Sequence, residues 1–225
     1  MLSWLPENVS TYGGDVDFIF NVIYWITTIS CVGVLAAMVW FVIRYRARPG
    51  GRAVYTHGNV TLEIIWTIVP TAVFVMIGVM SGSVWSAMKQ EIPDTPFVVR
   101  VQGSQFNWQM TYPGLDGRFG TPDDYSQENL MRAPVGRPVK LILTAKDVIH
   151  SFFVPQMRLK QDALPGREIL AWFEATKEGS YEIPCAELCG FGHSQMKGEL
   201  RVLSQADFDA WVLEKKAFPQ EMQGQ

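Results

Sequence analysis

Residues 18–43 read FIFNVIYWITTISCVGVLAAMVWFVI, 26 residues without a charged side chain, and residues 64–88 read IIWTIVPTAVFVMIGVMSGSVWSAM, 25 more. A helix rises about 1.5 Å per residue and a bilayer's hydrocarbon core is about 30 Å thick, so roughly 20 apolar residues cross it. Both runs exceed that length and can tilt or reach into the interfaces. Tyr24, Trp25 and Trp40 in the first run, and Trp66 and Trp85 in the second, are the amphipathic rings that favour headgroup depth. Pro70 lies about one turn into the second run, where a kink is tolerable if neighbours satisfy the freed carbonyl. Two membrane spans are therefore expected, and a wholly soluble protein is excluded.

Orientation follows from the connection. Arg44-Tyr-Arg46-Ala-Arg48-Pro-Gly-Gly-Arg52 holds four arginines in nine residues, and a short basic loop stays in the cytoplasm. The preceding tail carries Glu7, Asp15 and Asp17 with no lysine or arginine, so it and everything after Lys89 are expected outside. The start, Met-Leu-Ser-Trp-Leu-Pro, has no basic region, so no signal peptide is expected. The division reads as 1–92, tail and two-helix hairpin, and 93–225, an exported domain.

Composition agrees with a folded exported part. Of 225 residues 12% are aromatic, which excludes disorder, and three cysteines are too few for a disulfide scaffold. With 19 basic against 22 acidic residues the formal charge is −3, and no basic footprint suggests nucleic acid. Beyond Pro93 short β-type runs alternate with turn residues: 97–102, 105–112, 138–146, 167–174, 179–183 and 198–203. Many short strands at this spacing predict a β-sandwich or barrel. Ser204-Gln-Ala-Asp207 opens a terminal amphipathic helix running to about Lys216. Residues 114–127, with Asp116, Asp123 and Asp124 among glycines, lack a calcium-loop spacing and read as a solvated loop.

The unusual chemistry lies in Cys185-Ala-Glu-Leu-Cys189-Gly-Phe-Gly-His193-Ser-Gln-Met196, with His150 35 residues upstream of Cys185. Thiolate, imidazole and thioether together favour copper. Zinc would accept two cysteines and two histidines but has no use for Met196. A mononuclear blue-copper site needs one thiolate, so the second cysteine is surplus to it and sufficient to bridge a second metal. Two coppers bridged by both thiolates leave one imidazole for each, an arrangement that relays electrons with little geometric change. A Cys185–Cys189 disulfide is the competing reading, and it leaves both histidines and Met196 unexplained. Cys31 reads as a packing residue and His57 as solvated.

At these residues the chain resembles subunit II of the haem–copper cytochrome c oxidases over nearly its whole length. The resemblance rests on Cys185-x3-Cys189-x3-His193-x2-Met196, with Asp147-Val-Ile-His150-Ser-Phe and Asp162-Ala-Leu-Pro-Gly166 upstream. It implies a cupredoxin-like Greek-key domain behind the hairpin and a binuclear copper A centre. By it Cys185 and Cys189 bridge, His150 and Met196 complete one copper, and His193 and the Glu187 carbonyl complete the other. The Glu187 carboxylate would reach magnesium at the subunit I interface; without the resemblance it is a solvated loop acid. Glu63, in Leu62-Glu63-Ile64-Ile65-Trp66-Thr67, matches the glutamate at the mouth of a proton-uptake channel; otherwise it is a helix-start carboxylate favoured by the macrodipole.

The implied function is electron input to a terminal oxidase of the bacterial inner membrane, with a c-type cytochrome as donor and oxygen reduction in subunit I. Other oxidase subunits are implied partners too. No Cys-x-x-Cys-His occurs, so the donor is expected to be a separate protein. A quinol-oxidase subunit would lack both cysteines, a copper chaperone would show an open site of few ligands, and nitrous oxide reductase is far longer. One departure stands out. The family commonly has Gly-x-Gln-Trp-x-Trp, and its first tryptophan is where electrons arrive; here Gly103-Ser-Gln105-Phe106-Asn-Trp108 puts phenylalanine there. The donor is expected over Phe106 with Trp108 or Tyr112 nearby, and a membrane-tethered or supercomplex-bound cytochrome is a candidate. The plainer reading of Phe106 is a hydrophobic residue on an alternating strand.

Overall fold

A computed structural model describes residues 5–114 and 116–216. The start read for a signal peptide lies partly outside them, as do residues 217–225 of the expected exported domain. The described chain forms two compact units, one of residues 15–85 and one of residues 5–14 with 86–216.

The first unit holds most of two helices, α1 (Gly13–Arg44) and α2 (Val60–Lys89), which extend the two uncharged runs at both ends. Their central windows have mean hydropathy 2.3 and 2.1 and bury nothing within the protein, as spans facing lipid or other subunits require. Asn59 caps α2, its side-chain oxygen accepting the Leu62 N–H at 3.2 Å. Pro70 sits inside α2 without ending it. In the connection, Arg48-Pro49-Gly50-Gly51 closes a turn through the Gly51 N–H to the Arg48 carbonyl, 3.0 Å. Pro49 precedes Gly50 at φ +78°, the positive angle a type II turn needs at its third residue.

The second unit is a β-sandwich. One layer contains β1 (Val98–Ser104), β2 (Asn107–Tyr112), β3 (Tyr125–Glu128), β5 (Pro138–Ala145) and β8 (Ile169–Glu174), ordered β3-β2-β1-β5-β8. The other contains β4 (Leu130–Pro134), β9 (Gly179–Pro184) and β10 (Lys197–Leu203), ordered β4-β10-β9. A two-stranded sheet, β6 (His150–Val154) with β7 (Leu159–Ala163), joins β9 through a bridge between Phe152 and Cys185. β1 runs parallel to β5, and β4 parallel to β10, so those connections cross rather than form hairpins. Along β5 burial alternates strictly, placing Val139, Leu141, Leu143 and Ala145 inward. Trp108, Phe152, Phe173, Met110 and Met131 fill the centre with no exposed surface.

All six expected strands are present, with shifted ends. The strand expected from Gln105 begins at Asn107, because Gln105 and Phe106 form the two-residue turn of the β1–β2 hairpin, where Ser104 faces Asn107. Four further strands carry no clear alternation in sequence. β3 is Tyr-Ser-Gln-Glu with no fully buried residue, β4 ends on a proline, and β7 is a polar edge strand. β6 is almost entirely buried, so it has no polar face to mark its period. β3 also takes the last part of the expected 114–127 loop. There the Asp116 and Asp124 carboxylates accept the Arg118 and Gly120 N–H groups at 2.8 and 2.6 Å, as expected of a turn bonded to itself.

Helix α3 (Gln205–Lys216) starts where its cap predicts: Ser204 Oγ accepts the Asp207 N–H at 3.1 Å. It packs Phe208 and Trp211 over Phe97, Tyr112 and Tyr125. The N-terminal segment adds an edge to the same unit. The Val9 N–H reaches the Gln156 carbonyl at 3.0 Å, the Thr176 N–H reaches the Val9 carbonyl at 2.8 Å, and Ser10 bridges Ala175. Val9 is 1% exposed, so this tail is part of the core.

Candidate metal centre

Three segments meet at one end of the sandwich. β6 begins with His150, buried completely. The chain leaves β9 at Cys185 and loops through Cys189 to a short 3-10 turn, His193–Gln195. Met196 then leads into β10. The Cys185 N–H to the Met196 carbonyl, 3.0 Å, closes the base of this loop, and the Ala186 N–H to the Ser151 carbonyl, 3.0 Å, fastens it to β6.

The sequence-predicted donors converge. Cys185 Sγ and Cys189 Sγ lie 3.9 Å apart and are not bonded to each other. His150 Nδ1 is 3.9 Å from Cys185 Sγ, and His193 Nδ1 is 3.6 Å from Cys189 Sγ. Met196 Sδ stands 3.8 Å from Cys189 Sγ, and the Glu187 carbonyl oxygen 3.3 Å from Cys185 Sγ. The ligand atoms of His150, Cys185 and Cys189 all fall within 4.8 Å of one another. A sulfur–sulfur separation of 3.9 Å is less than twice a metal–thiolate bond of about 2.3 Å, so one ion can touch both sulfurs with space for another on the opposite side. The set is soft and closed: it fits copper held for electron transfer and offers no open position for a substrate. Burial and the neighbouring Cys185 thiol push Cys189 up to about 11, so binding a metal displaces its proton.

Outer contacts aim the histidine. His150 Nε2 donates to Asp147 Oδ1 at 2.8 Å, which leaves Nδ1 as the acceptor facing Cys185. Burial alone would raise Asp147. The bonds from His150 and from the Gln105 and Val148 N–H groups outweigh it and hold the carboxyl at about 2, ionised throughout the physiological range. On the other side Trp108 stands edge-on to His150, centroids 5.9 Å apart. Gly103 leaves both rings their space, since a Cβ there would come within 2.9 Å of the imidazole and 3.0 Å of the indole. Asp147→Asn keeps the shape but gives up the anion, and is expected to weaken metal affinity about 10–100-fold. A metal titration of the reduced chain checks this; unchanged affinity would make Asp147 a bystander.

The remaining predicted positions separate. Phe106 is 38% exposed on the hairpin turn beside the metal loop. Trp108 is fully buried behind His150, and Tyr112 lies at the far end of β2, its hydroxyl bonded to the Arg132 carbonyl at 3.0 Å under Trp211. Neither reaches the surface at Phe106. The Glu187 side chain is exposed, and Glu63 sits in the first turn of α2 in the other unit. Sequence spacing alone gives Asp147, Gln105 and the loop glycines no role. An aspartate three residues before a ligand histidine was the available signal for the first.

A β-sandwich of the cupredoxin kind, joined to two membrane-length helices and carrying a two-thiolate site whose donors fit copper, defines a membrane-anchored protein with a candidate metal centre. The relatives agree. Residues 116–202 match the family described as cytochrome c oxidase subunit II, periplasmic domain, and residues 3–84 match its transmembrane domain. The alternative cytochrome c oxidase subunit 2 of Bradyrhizobium diazoefficiens is 32% identical, spanning 96% of this chain and 84% of its own length. Subunit 2 from Thermostichus vulcanus is 33% identical over 95% of this chain and 79% of its own. The crystal structure of the periplasmic domain of subunit II (CoxB) of Bradyrhizobium japonicum aligns with TM-score 0.50 and 29% identity, covering 56% of this chain and 97% of that one. This chain belongs to the cytochrome c oxidase subunit II family, a component of the haem–copper oxidases.

Proposed function

We propose that the chain is the electron-input subunit of a proton-pumping terminal oxidase. It accepts electrons singly from a c-type cytochrome and passes them to haem in subunit I, where dioxygen is reduced to water. The observation that carries this is a set of three sulfurs, two imidazoles and a carbonyl in which each of the other four donors lies within 4 Å of one of the two cysteine sulfurs. When bound, a binuclear copper centre supplies one-electron storage with little change of geometry. The chain's residues would hold it: Cys185 and Cys189 would be shared by the two ions, His150 and Met196 would serve one of them, and His193 and the Glu187 carbonyl the other. Burial of both cysteines and Met196 excludes water from the bridging ligands. The exposed Glu187 carboxylate is left to magnesium at the subunit I interface.

Phe106 is where electrons arrive: of the three aromatic candidates it alone meets solvent beside the metal loop. The exported domain lies outside the bacterial inner membrane, with residues 1–92 leading into and through it. The N-terminus lies on the same side, a placement supported by the backbone pairing of Val9 and Ser10 with that domain. The test is stopped-flow mixing of the assembled oxidase with reduced cytochrome c across a salt series. Copper is expected to be reduced before haem. With a tethered donor the rate depends weakly on ionic strength, whereas a steep fall with salt identifies a soluble, electrostatically steered one. Haem reduction ahead of copper would overturn the input role.

Glu63 delivers protons from the cytoplasmic side. Its carboxylate is exposed at the start of α2, and it belongs to the unit that does not contain the metal donors. Glu63→Ala is expected to slow steady-state turnover severalfold while copper reduction by the donor stays at its normal rate. Normal turnover would return Glu63 to the role of a helix-start residue.

A further inference from the structure

The β1–β2 turn has only two residues, Gln105 and Phe106, and both are engaged by the metal loops. The Gln105 N–H donates to Asp147 Oδ2 at 2.7 Å, and the other oxygen of that carboxylate accepts His150 Nε2 at 2.8 Å. The Gln105 side-chain amide donates to the Cys189 carbonyl. One residue is thus fastened to the segments bearing two separate metal donors, through a carboxylate on one side and directly on the other. The Phe106 ring lies on the same loop. A Cβ on Gly192 would come within 2.5 Å of its Cδ2, and one on Gly190 within 3.2 Å of Cε1 and Cζ and 2.7 Å of Gln105 Nε2. Glycine at both places lets the ring rest on bare backbone, and Gly190, at φ +138°, holds an angle that side-chain-bearing residues avoid.

We propose that Gln105 is a positioning residue for electron input: its amide clamps the β1–β2 turn to the Cys189 segment so that the Phe106 ring stays seated on Gly190–Gly192, between donor and metal centre. The inference rests on Phe106 being the point of arrival. The step it serves moves one electron from the donor's ferrous haem, which becomes ferric, to the metal centre; no bond forms or breaks and no proton moves. Without the clamp the ring keeps its chemistry and loses its place. A misplacement of about 1 Å can cost a positioned reaction up to about 100-fold.

The experiment uses the assembled, copper-loaded oxidase. Gln105→Leu removes the side-chain donor and keeps the backbone N–H to Asp147. Copper content and the mixed-valence resonance spectrum are expected to stay normal, and amide exchange at Phe106 to quicken. The rate of copper reduction at saturating cytochrome c should fall about tenfold, while the half-saturating concentration changes less, because only the Phe106 ring is displaced and the rest of the docking surface is intact. Gly192→Ala, which lifts the ring while leaving Gln105 alone, should behave alike. If Gln105→Leu loses copper, or both variants are reduced at the normal rate while Phe106→Leu is slow, the positioning role is overturned and arrival at Phe106 stands. If Phe106→Leu is itself reduced normally, arrival lies elsewhere and both readings fall.

Discussion

Serine at Cys185 or Cys189 is expected to abolish the proposed two-copper centre and with it the proposed electron input. The thiols sit 3.9 Å apart, each with one imidazole and one weaker donor alongside, so each sulfur has neighbours for two ions. A hydroxyl is a harder, far weaker bridging ligand, and one remaining thiolate with two imidazoles suits a single copper at most. Copper content should fall to one ion or none, and turnover with cytochrome c should be lost in step. Met196→Leu, which removes only a weak donor, should retain copper with a shifted potential. Metal analysis of the purified variants separates the two classes, and a cysteine variant that keeps its full copper content would refute bridging.

Trp108→Ala is expected to be the most damaging substitution for the fold near the site. The indole has no exposed surface, packs edge-on against His150 and Phe152 at 5.9 and 5.6 Å, and its backbone N–H is held by the Asn129 side chain at 2.8 Å. Truncating a buried tryptophan costs about 3–5 kcal/mol, from lost burial and the cavity left behind. Here the cavity opens beside a ligand ring, so metal affinity should fall together with stability. Chemical denaturation of the full chain in detergent measures the first and metal titration the second. A loss under about 1 kcal/mol would mean the site closes over the gap.

The two long helices were legible because a bilayer sets a length, and residues 18–43 and 64–88 meet it. The convergence of the candidate donors was legible because donors spaced by three and four residues in one loop have few other uses. What escaped was support drawn from elsewhere in the chain. Asp147 and Gln105 act through a turn 42 residues from the first of them, and spacing says nothing of such contacts. Phe106 reads as a strand residue by pattern, yet the turn takes it, because Asp147 supplies the hydrogen bond a ladder would have given the Gln105 N–H. Tyr112 is near Phe106 in sequence, but at about 3.3 Å per residue a strand carries it to the opposite end of the sandwich. There burial raises its phenol and α3 covers it.

The central claim is that Cys185 and Cys189 hold two copper ions sharing one odd electron. Metal analysis combined with electron paramagnetic resonance of the copper-loaded full chain tests it most directly. An electron shared equally by two copper nuclei splits into seven hyperfine lines, whereas one localised on a single nucleus gives four. The account predicts two coppers per chain and the seven-line pattern. One copper with four lines, or zinc with no signal, would contradict it.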